Sequence, residues 1–450
     1  MPFRPFLLHP ISLIGRWLAF FRRVIPVAGP YWNSEDRWRV RGLTAALLAL
    51  TIGQIVIAIS INLWIQNFFD ALESRALNTF VVLVGVVIVI IAANIAVTVV
   101  HLAVKRRLQV GWRRWLTHRL LGEWMSRGNH YRVTLFPGEH DNPDGRIAED
   151  IRIATEAAMD LAHSLFHAVL LLAGFATVLW TLSGPPELSV AGVDLVIPGH
   201  LVWIAVLYSA IGTLVAWLLG YPLVAAQNRR QMFEANFRFG LAHAREHSVQ
   251  IALLRGDGNE GRNLRGLFRG VAKTWNRQTR ALANLFYFTS AWWVLSQVFP
   301  IMVAAPRYMA GAITLGVLMQ TAQAFQQMVG ALSWPIDNVN NVAGWRASVE
   351  RVLGLHDALG RLNEKRAAGS GRIIQIEQGT RPALVFEGLS IASPDGATIT
   401  KPFSAEIGPG EKVAISGDPD TAFKFLKVVA GLWPWGSGRL ILPASGPLFF

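Results

Sequence analysis

TFVVLVGVVIVIIAANIAVTVVHLAV, residues 79–104, runs without a charged side chain until Lys105. A helix needs about 20 apolar residues to cross the hydrocarbon core of a bilayer, and this stretch exceeds that. Five further runs meet the same length: 42–65, 161–182, 200–226, 283–305 and 308–332. The last two are the most polar, because ANLFYFTSAWWVLSQVFPIMVAA and YMAGAITLGVLMQTAQAFQQMVGAL carry several amides. The expected solvent is therefore lipid, and the expected molecule a mainly α, polytopic membrane protein of six spans.

Composition agrees. Of the 450 residues, 52% are hydrophobic and 16% charged, against roughly 25% charged in soluble domains. There is no cysteine, which excludes disulfides and thiolate metal sites, and the eleven histidines show no ligand spacing such as HExxH. No metal site is expected. A formal net charge of +13 suits the anionic lipids of a cytoplasmic face better than nucleic acid, which is not expected as a partner.

Placement of the charges gives an orientation. The first 41 residues hold seven Lys and Arg, the 105–160 connection ten and the 227–282 connection eleven. The opposite connections, 66–78, 183–199 and 306–307, hold one, none and one. By the positive-inside rule both termini are cytoplasmic. The N-terminal ISLIGRWLAFFRRVIPV is interrupted by arginines and lacks a small-residue cleavage site, so it reads as a helix in the membrane interface rather than a secretory signal.

Each of the two basic connections is 56 residues long, whereas the outer ones are 2–17. Both are helix-compatible and would form hairpins reaching roughly 40 Å into the cytoplasm. Such stalks suit a transporter whose moving parts are cytoplasmic. After the sixth span, WPIDNVNNVAGWRASVERVLGLHDAL continues as helix. A charged, Gly- and Ser-bearing linker, 361–376, then leads to the strand candidates ALVFEGLSIA, KPFSAEI and EKVAISG. The expected order is an interfacial segment 1–41, a six-span domain 42–360, the linker, and a partial α/β domain 377–450.

KVAISGDPDTAFKFLKVVAGLWPWG, residues 412–436, has the strand–loop–helix order of a phosphate-binding motif but not its chemistry. A Walker A loop, G-x-x-x-x-G-K-[ST], needs a second glycine, a lysine and a hydroxyl. Gly417 is in place, but Ala422 and Phe423 stand at the second glycine and the lysine, and Lys424 at the hydroxyl. Gly417 and Lys424 are the remaining candidates for a degenerate nucleotide site. Asp418 and Asp420 would repel a phosphate at the helix N-terminus.

The markers DNPDGRIAEDI (141–151), FTSAWWVLSQVFPIMVAAPRYMAGAITLGVLMQTAQAF (288–325) and AGLWPWGSGRL (430–440) resemble ABC transporters with a permease of the SbmA/BacA type. These are related to the peroxisomal fatty-acyl half-transporters. The resemblance covers nearly the whole chain. It implies an exporter-type six-helix ABC permease with long cytoplasmic stalks, working as a homodimer in a bacterial inner membrane and followed by an incomplete nucleotide-binding domain. It also implies peptides or other bulky hydrophilic compounds as cargo, with ATP and Mg²⁺ as cofactors in the family. This chain itself is expected to bind no cofactor, since Walker B, the signature motif and the switch histidine are absent. Three readings stay open. The chain is a transporter that does not hydrolyse ATP, with a separate ATPase subunit as a possible partner; the N-terminal part of an ATP-driven half-transporter; or a non-transporting remnant.

The resemblance assigns Asp141, Asn142, Pro143, Asp144 and Arg146 to the first stalk, with DNP as a helix cap. Gln250 and Gly256 fall in the second stalk, where EHSVQIALLRG resembles the family's EAA-like segment with Gln250 replacing a glutamate. Gln320, Gln323 and Gln327 lie on one helical face and are expected to line a translocation cavity; the alternative is pairing between helices. His163 and His167, i and i+4, read either as a proton relay or as interfacial histidines.

Overall fold

The computed structural model describes residues 10–135, 142–184, 189–190, 193–194, 198–367, 374–393 and 396–444. Its helices are α1 (Pro10–Ala28), α2 (Arg37–Glu73), α3 (Leu77–Met125), α4 (Pro143–Leu182), α5 (His200–Glu246), α6 (Ser248–Leu253), α7 (Asp257–Met309), α8 (Leu315–Leu332), α9 (Val339–Ala367) and α10 (Pro419–Val429). The strands of its larger sheet are β1 (Gln375–Gln378), β2 (Leu384–Ile391), β3 (Phe403–Ile407) and β4 (Gly436–Leu442).

Among the described residues five helices, α2, α3, α4, α5 and α7, are long and apolar enough to cross a membrane. The stretch that opened the sequence, in α3, is the most apolar of them, and none of its best window is buried within the chain. It is also dense in Val and Ile, which in water favour strands. In lipid the backbone must satisfy its own hydrogen bonds, and a helix does that within one segment. Val81, Val82, Ile88, Val89, Ile95 and Val99 accordingly point away from the protein.

The sixth expected span is α8, 18 residues long and amide-bearing. Here the expected boundaries need correction. The turn between α7 and α8 lies at Ala310–Thr314, not at 306–307, because α7 carries on past Pro306 to Met309. Gly311, at φ 75°, closes it: Gly311 N–H donates to Tyr308 O and Ala312 N–H to Arg307 O, at 2.9 Å each. That pattern is a Schellman C-cap, and it needs a left-handed residue there.

The described chain divides into two units, interleaved along the sequence. The membrane unit is Ala45–Val104 with Leu161–Asn340. Its core joins Phe175 and Leu179 of α4, Tyr208 of α5, and Phe325 and Met328 of α8. Tyr208 stacks on Trp292 of α7 with ring centroids 4.2 Å apart.

The stalk unit is Met1–Thr44, Lys105–Asp160 and Asn341–Phe450. Phe20 and Val27 of α1, Leu116 and Leu120 of α3, Ile151 of α4, and Leu355 and Leu359 of α9 form one cluster. The face of α1 that carries Phe20 and Val27 is thus spent on protein, while Leu18 and Ile25 stay exposed. The same unit holds a four-stranded sheet, ordered β1-β4-β2-β3, with β4 parallel to β1 and antiparallel to β2. Helix α10 packs on it through Val428, against Phe386, Leu389 and Leu440.

EKVAISG, expected as a strand, forms none: residues 411–417 have no ladder partner and are exposed throughout. An apolar strand of this kind requires neighbours on both edges and cover on both faces. No strand among the described residues supplies them, so Val413 and Ile415 lie open. The 368–373 part of the linker lies outside the described residues.

Candidate functional site

In the membrane unit the amide face is not an open lining. Asn62 of α2, fully buried, donates through Nδ2 to the backbone carbonyl of Gln320 at 3.0 Å and to Gln323 Oε1. Gln320 is itself only 2% exposed. Gln326 Nε2 donates to Gln297 Oε1 of α7 at 2.8 Å. Gln327 is half-buried. Gln320, through its backbone carbonyl, and Gln323, through its side chain, thus join α8 to α2. Periodicity placed them on one face, but not the helix that faces it, since Asn62 lies 258 residues away in sequence.

His163 meets a partner that sequence reasoning missed. Its Nε2 lies 2.7 Å from Nε2 of His101 at the end of the apolar part of α3. The His167 ring lies 6.3 Å from that of His163. His163 and His167 line an open cavity of about 390 Å³ with Gln54, Ser164, Trp334 and Asp337. Trp334 Nε1 donates to Ser164 Oγ at 3.0 Å. Burial pushes the Asp337 carboxyl above its ordinary value.

At the opposite end of α2, two carboxylates hold the start of α8. Glu73 Oε2 accepts from Leu315 N–H at 2.9 Å and Asp70 Oδ1 from Gly316 N–H at 3.0 Å. Thr314 Oγ1 accepts from Val317 N–H as the N-cap. Three donors that a helix N-terminus leaves unpaired are thereby satisfied. Arg307, from AAPRY, does the converse. Its Nη1 donates to the Leu182 and Ser183 carbonyls at 3.1 and 2.9 Å, closing the C-terminal end of α4.

The second stalk ends in α6. Gln250 there is exposed, and Gly256 N-caps α7 with an ordinary φ of −83°. The left-handed residue is instead Arg255, at φ 50°. Val249, Leu253 and Leu254 are all more than 60% exposed.

In the stalk unit, DNPDGRIAEDI opens α4. Asp141 lies outside the described residues. Asn142 occupies the N-cap position at φ 59°, but its side chain makes no capping bond, which corrects the expected cap. Pro143 takes the first helical position, where its missing N–H costs nothing. Asp144 is exposed. Residues Arg146–Asp150 wind as one π-helical turn, a form that is rare and tends to mark functional positions.

Asp150 is the hub of that turn, at 4% exposure. It accepts from Arg351 Nε of α9 at 2.8 Å, from Arg351 Nη2, and from Arg146 Nη1 at 3.0 Å. Burial by itself would raise the Asp150 pKa, but the two guanidiniums outweigh it and hold the carboxyl below the usual range. Glu123 of α3 lies 3.2 Å from His356 Nδ1 of α9 and 3.2 Å from Arg119 Nε, and His356 chiefly holds its pKa down.

The phosphate-loop region is plugged by its own side chains. Asp418 is the N-cap of α10, its Oδ2 accepting from Thr421 N–H at 3.0 Å and from Thr421 Oγ1 at 2.8 Å. Those Thr421 bonds hold the Asp418 carboxyl below its ordinary value. Lys424 pairs with Asp420. One N-terminal donor, Thr421 N–H, therefore already meets a carboxylate, and Lys424 is paired with Asp420. No group of three or more metal-ligating side chains occurs among the described residues.

Long apolar helices, long helical connections and a small sheet carrying GLWPWG together define the class, an ABC-type membrane domain followed by a small sheet-containing region. Residues 31–309 match the family described as ABC transporter transmembrane region 2. The chain belongs to that family. It is 27% identical over 437 residues to the inner membrane ABC transporter ATP-binding protein YddA of Escherichia coli, covering 96% of this chain and 75% of that one. It is 27% identical over 446 residues to ABC transporter D family member 2, chloroplastic, of Arabidopsis thaliana, covering 94% and 60%. The human lysosomal cobalamin transporter ABCD4 is 22% identical over 466 residues, covering 96% and 71%. The chain thus spans from 60% to 75% of the length of these relatives.

Proposed function

We propose that this chain is one half of a homodimeric bacterial inner-membrane transporter of the SbmA/BacA-like kind, moving peptides or other bulky hydrophilic compounds without hydrolysing ATP at its own loop. Its termini are cytoplasmic, as the steep asymmetry of Lys and Arg supports. Residues 42–360 form the transmembrane domain and 377–450 a degenerate part of a nucleotide-binding domain. One relative is named for cobalamin, a bulky hydrophilic compound, which supports that cargo class.

The observation that carries the reading is Asp418 seated on the α10 N-terminus, with Lys424 given to Asp420. Phosphoryl transfer depends on a lysine and Mg²⁺ to neutralise developing charge. Here the cradle holds carboxylates instead. Energy for transport would come from elsewhere, a separate ATPase subunit included.

The test is thermal unfolding of purified protein with and without millimolar Mg-ATP, together with an ATPase assay. Neither a shift in Tm nor hydrolysis is expected. A clear shift would mean that Lys424 slides into register. It would favour the alternative, an ATP-driven half-transporter of which this chain is the N-terminal part, which the greater length of the relatives supports. Uptake of a labelled Pro-rich peptide by cells with and without the chain separates both readings from a non-transporting remnant.

A further inference from the structure

Two imidazole rings join α3 to α4 in the membrane unit. His101, 6% exposed, lies near the end of the apolar run of α3, and His163 near the start of that of α4. Their Nε2 atoms are 2.7 Å apart and their ring centroids 4.4 Å. His163 also lines the open cavity of about 390 Å³, together with His167, Gln54 and Asp337. The pair is thus buried on the α3 side and open to the cavity on the α4 side.

That distance fixes what lies between the rings. Two bare nitrogens would face each other with lone pairs, and two N–H groups would collide. One ring therefore donates from Nε2 and the other accepts there, and the accepting ring, when neutral, carries its proton on Nδ1. A metal ion does not fit between them. Zinc held at about 2.0–2.1 Å by two imidazoles in a tetrahedral site would set their nitrogens about 3.3 Å apart.

Three protonation states follow. In the neutral pair a single proton bridges the rings. One more, taken up at Nδ1 of the donating ring, makes an imidazolium that gives a charge-assisted bond to a neutral ring, and the contact tightens. A further proton has only the accepting Nε2 to bind, so it breaks the bond and sets two cations side by side. An isolated charge is costly in apolar surroundings, whereas here two rings share it. Of the neighbouring groups, His167 has its ring centroid 6.3 Å from that of His163, and Asp337 is the carboxylate on the cavity wall. Gln54 of α2 is neutral. One turn further along the same two helices, Lys105 of α3 lies 3.1 Å from Asp160 of α4, and their charges cancel.

We infer that His101 and His163 form a proton-binding site, loaded with one proton from the cavity, that draws α3 and α4 together, and that transport depends on its occupancy. The proton comes from water in the open cavity and returns there when the site empties. The site stands on the ring geometry; its part in transport rests on the transporter reading given above.

Two measurements test the two halves. ¹⁵N NMR of the histidine rings, on the full chain in lipid nanodiscs, reads the proton count from about pH 8 to about pH 5, the range in which histidine titrates. At the alkaline end one bridging proton should correlate the His101 and His163 Nε2 signals. The correlation should survive uptake of one proton and vanish with the next. Uncorrelated Nε2 signals throughout would overturn the site. Counterflow of a labelled Pro-rich peptide in proteoliposomes, at equal pH on both sides, needs no energy source. Its rate should change by about threefold or more over the same range, with the inflection where the NMR shows the pair gaining its proton. In His101→Gln and His163→Gln, which keep a hydrogen-bonding group but bind no proton there, the profile should be flat. An inflection elsewhere in the wild type, or a wild-type profile in both variants, would overturn the role in transport. A bridging proton with no counterflow at any pH would sink the transporter reading, and the transport role with it, but not the site.

Discussion

Asn62 and Asp150 are both withdrawn from solvent, at 0% and 4% exposure, and each is the point where one helix holds another. Asn62 joins α2 to α8 through neutral groups, the Gln320 backbone carbonyl and the Gln323 side chain. Asp150 joins α4 to α9 through the Arg351 guanidinium, with Arg146 of its own helix as a second partner. The difference follows from the medium. In hydrocarbon a charge is expensive and an amide is tolerable once paired. In the stalk, water reaches the other side of Arg351, so a carboxylate can be buried if its counter-ions are only partly so.

Breaking the ionic side of this comparison should have the largest effect. Asp150→Ala leaves Arg351 and Arg146 facing each other without the anion, and should cost about 3 kcal/mol of stalk stability. Chemical denaturation followed by tryptophan fluorescence would measure it. The same pair should give acid sensitivity. Asp150 and Glu123 both have folded pKa values below their unfolded ones, about 3.9 and 4.3. Their contribution is therefore complete above those values and is lost as pH falls through the lower folded ones. The Asp150→Ala protein should lose less on acidification than the wild type. An equal loss would remove Asp150 from the account.

A smaller effect should come from the amide side. Asn62→Leu removes two interhelical bonds of about 0.6 kcal/mol each, so roughly 1 kcal/mol in a detergent unfolding titration. Unlike the acid effect, this cost should be the same at low and high salt and at neutral and acid pH. A salt-dependent cost would mean that charge reaches this site.

The smallest change sharpens the role of exposure. Arg23 Nη2 lies 2.7 Å from Asp357 Oδ2, but both side chains are about half exposed. Arg23→Ala should cost about 0.5 kcal/mol or less, and high salt should erase the difference. A cost approaching that of Asp150→Ala would show that geometry, rather than burial, sets the strength of these pairs.

Much of this was legible in the residues. Uncharged length predicted α2 to α5 and α7, because a bilayer imposes one scale and one hydrogen-bonding rule on any chain that crosses it. The stalks were legible as long basic connections. His163 was singled out for its spacing to His167, yet its close neighbour is His101. Asp70 and Glu73 gave no sign that they would hold the N-terminus of α8. Spacing within one helix carries no information about a helix hundreds of residues away.

The sequence by itself determined where the chain is apolar and which connections are long and basic. These are local properties, set by composition and by the period of a helix. Only the tertiary structure decided that Gln320 and Gln323 pair with Asn62 and that Asp150 gathers two arginines. It also decided that EKVAISG stays unpaired. Each of these depends on what a side chain or strand meets, and that is fixed by packing between distant segments rather than by the residues alongside it.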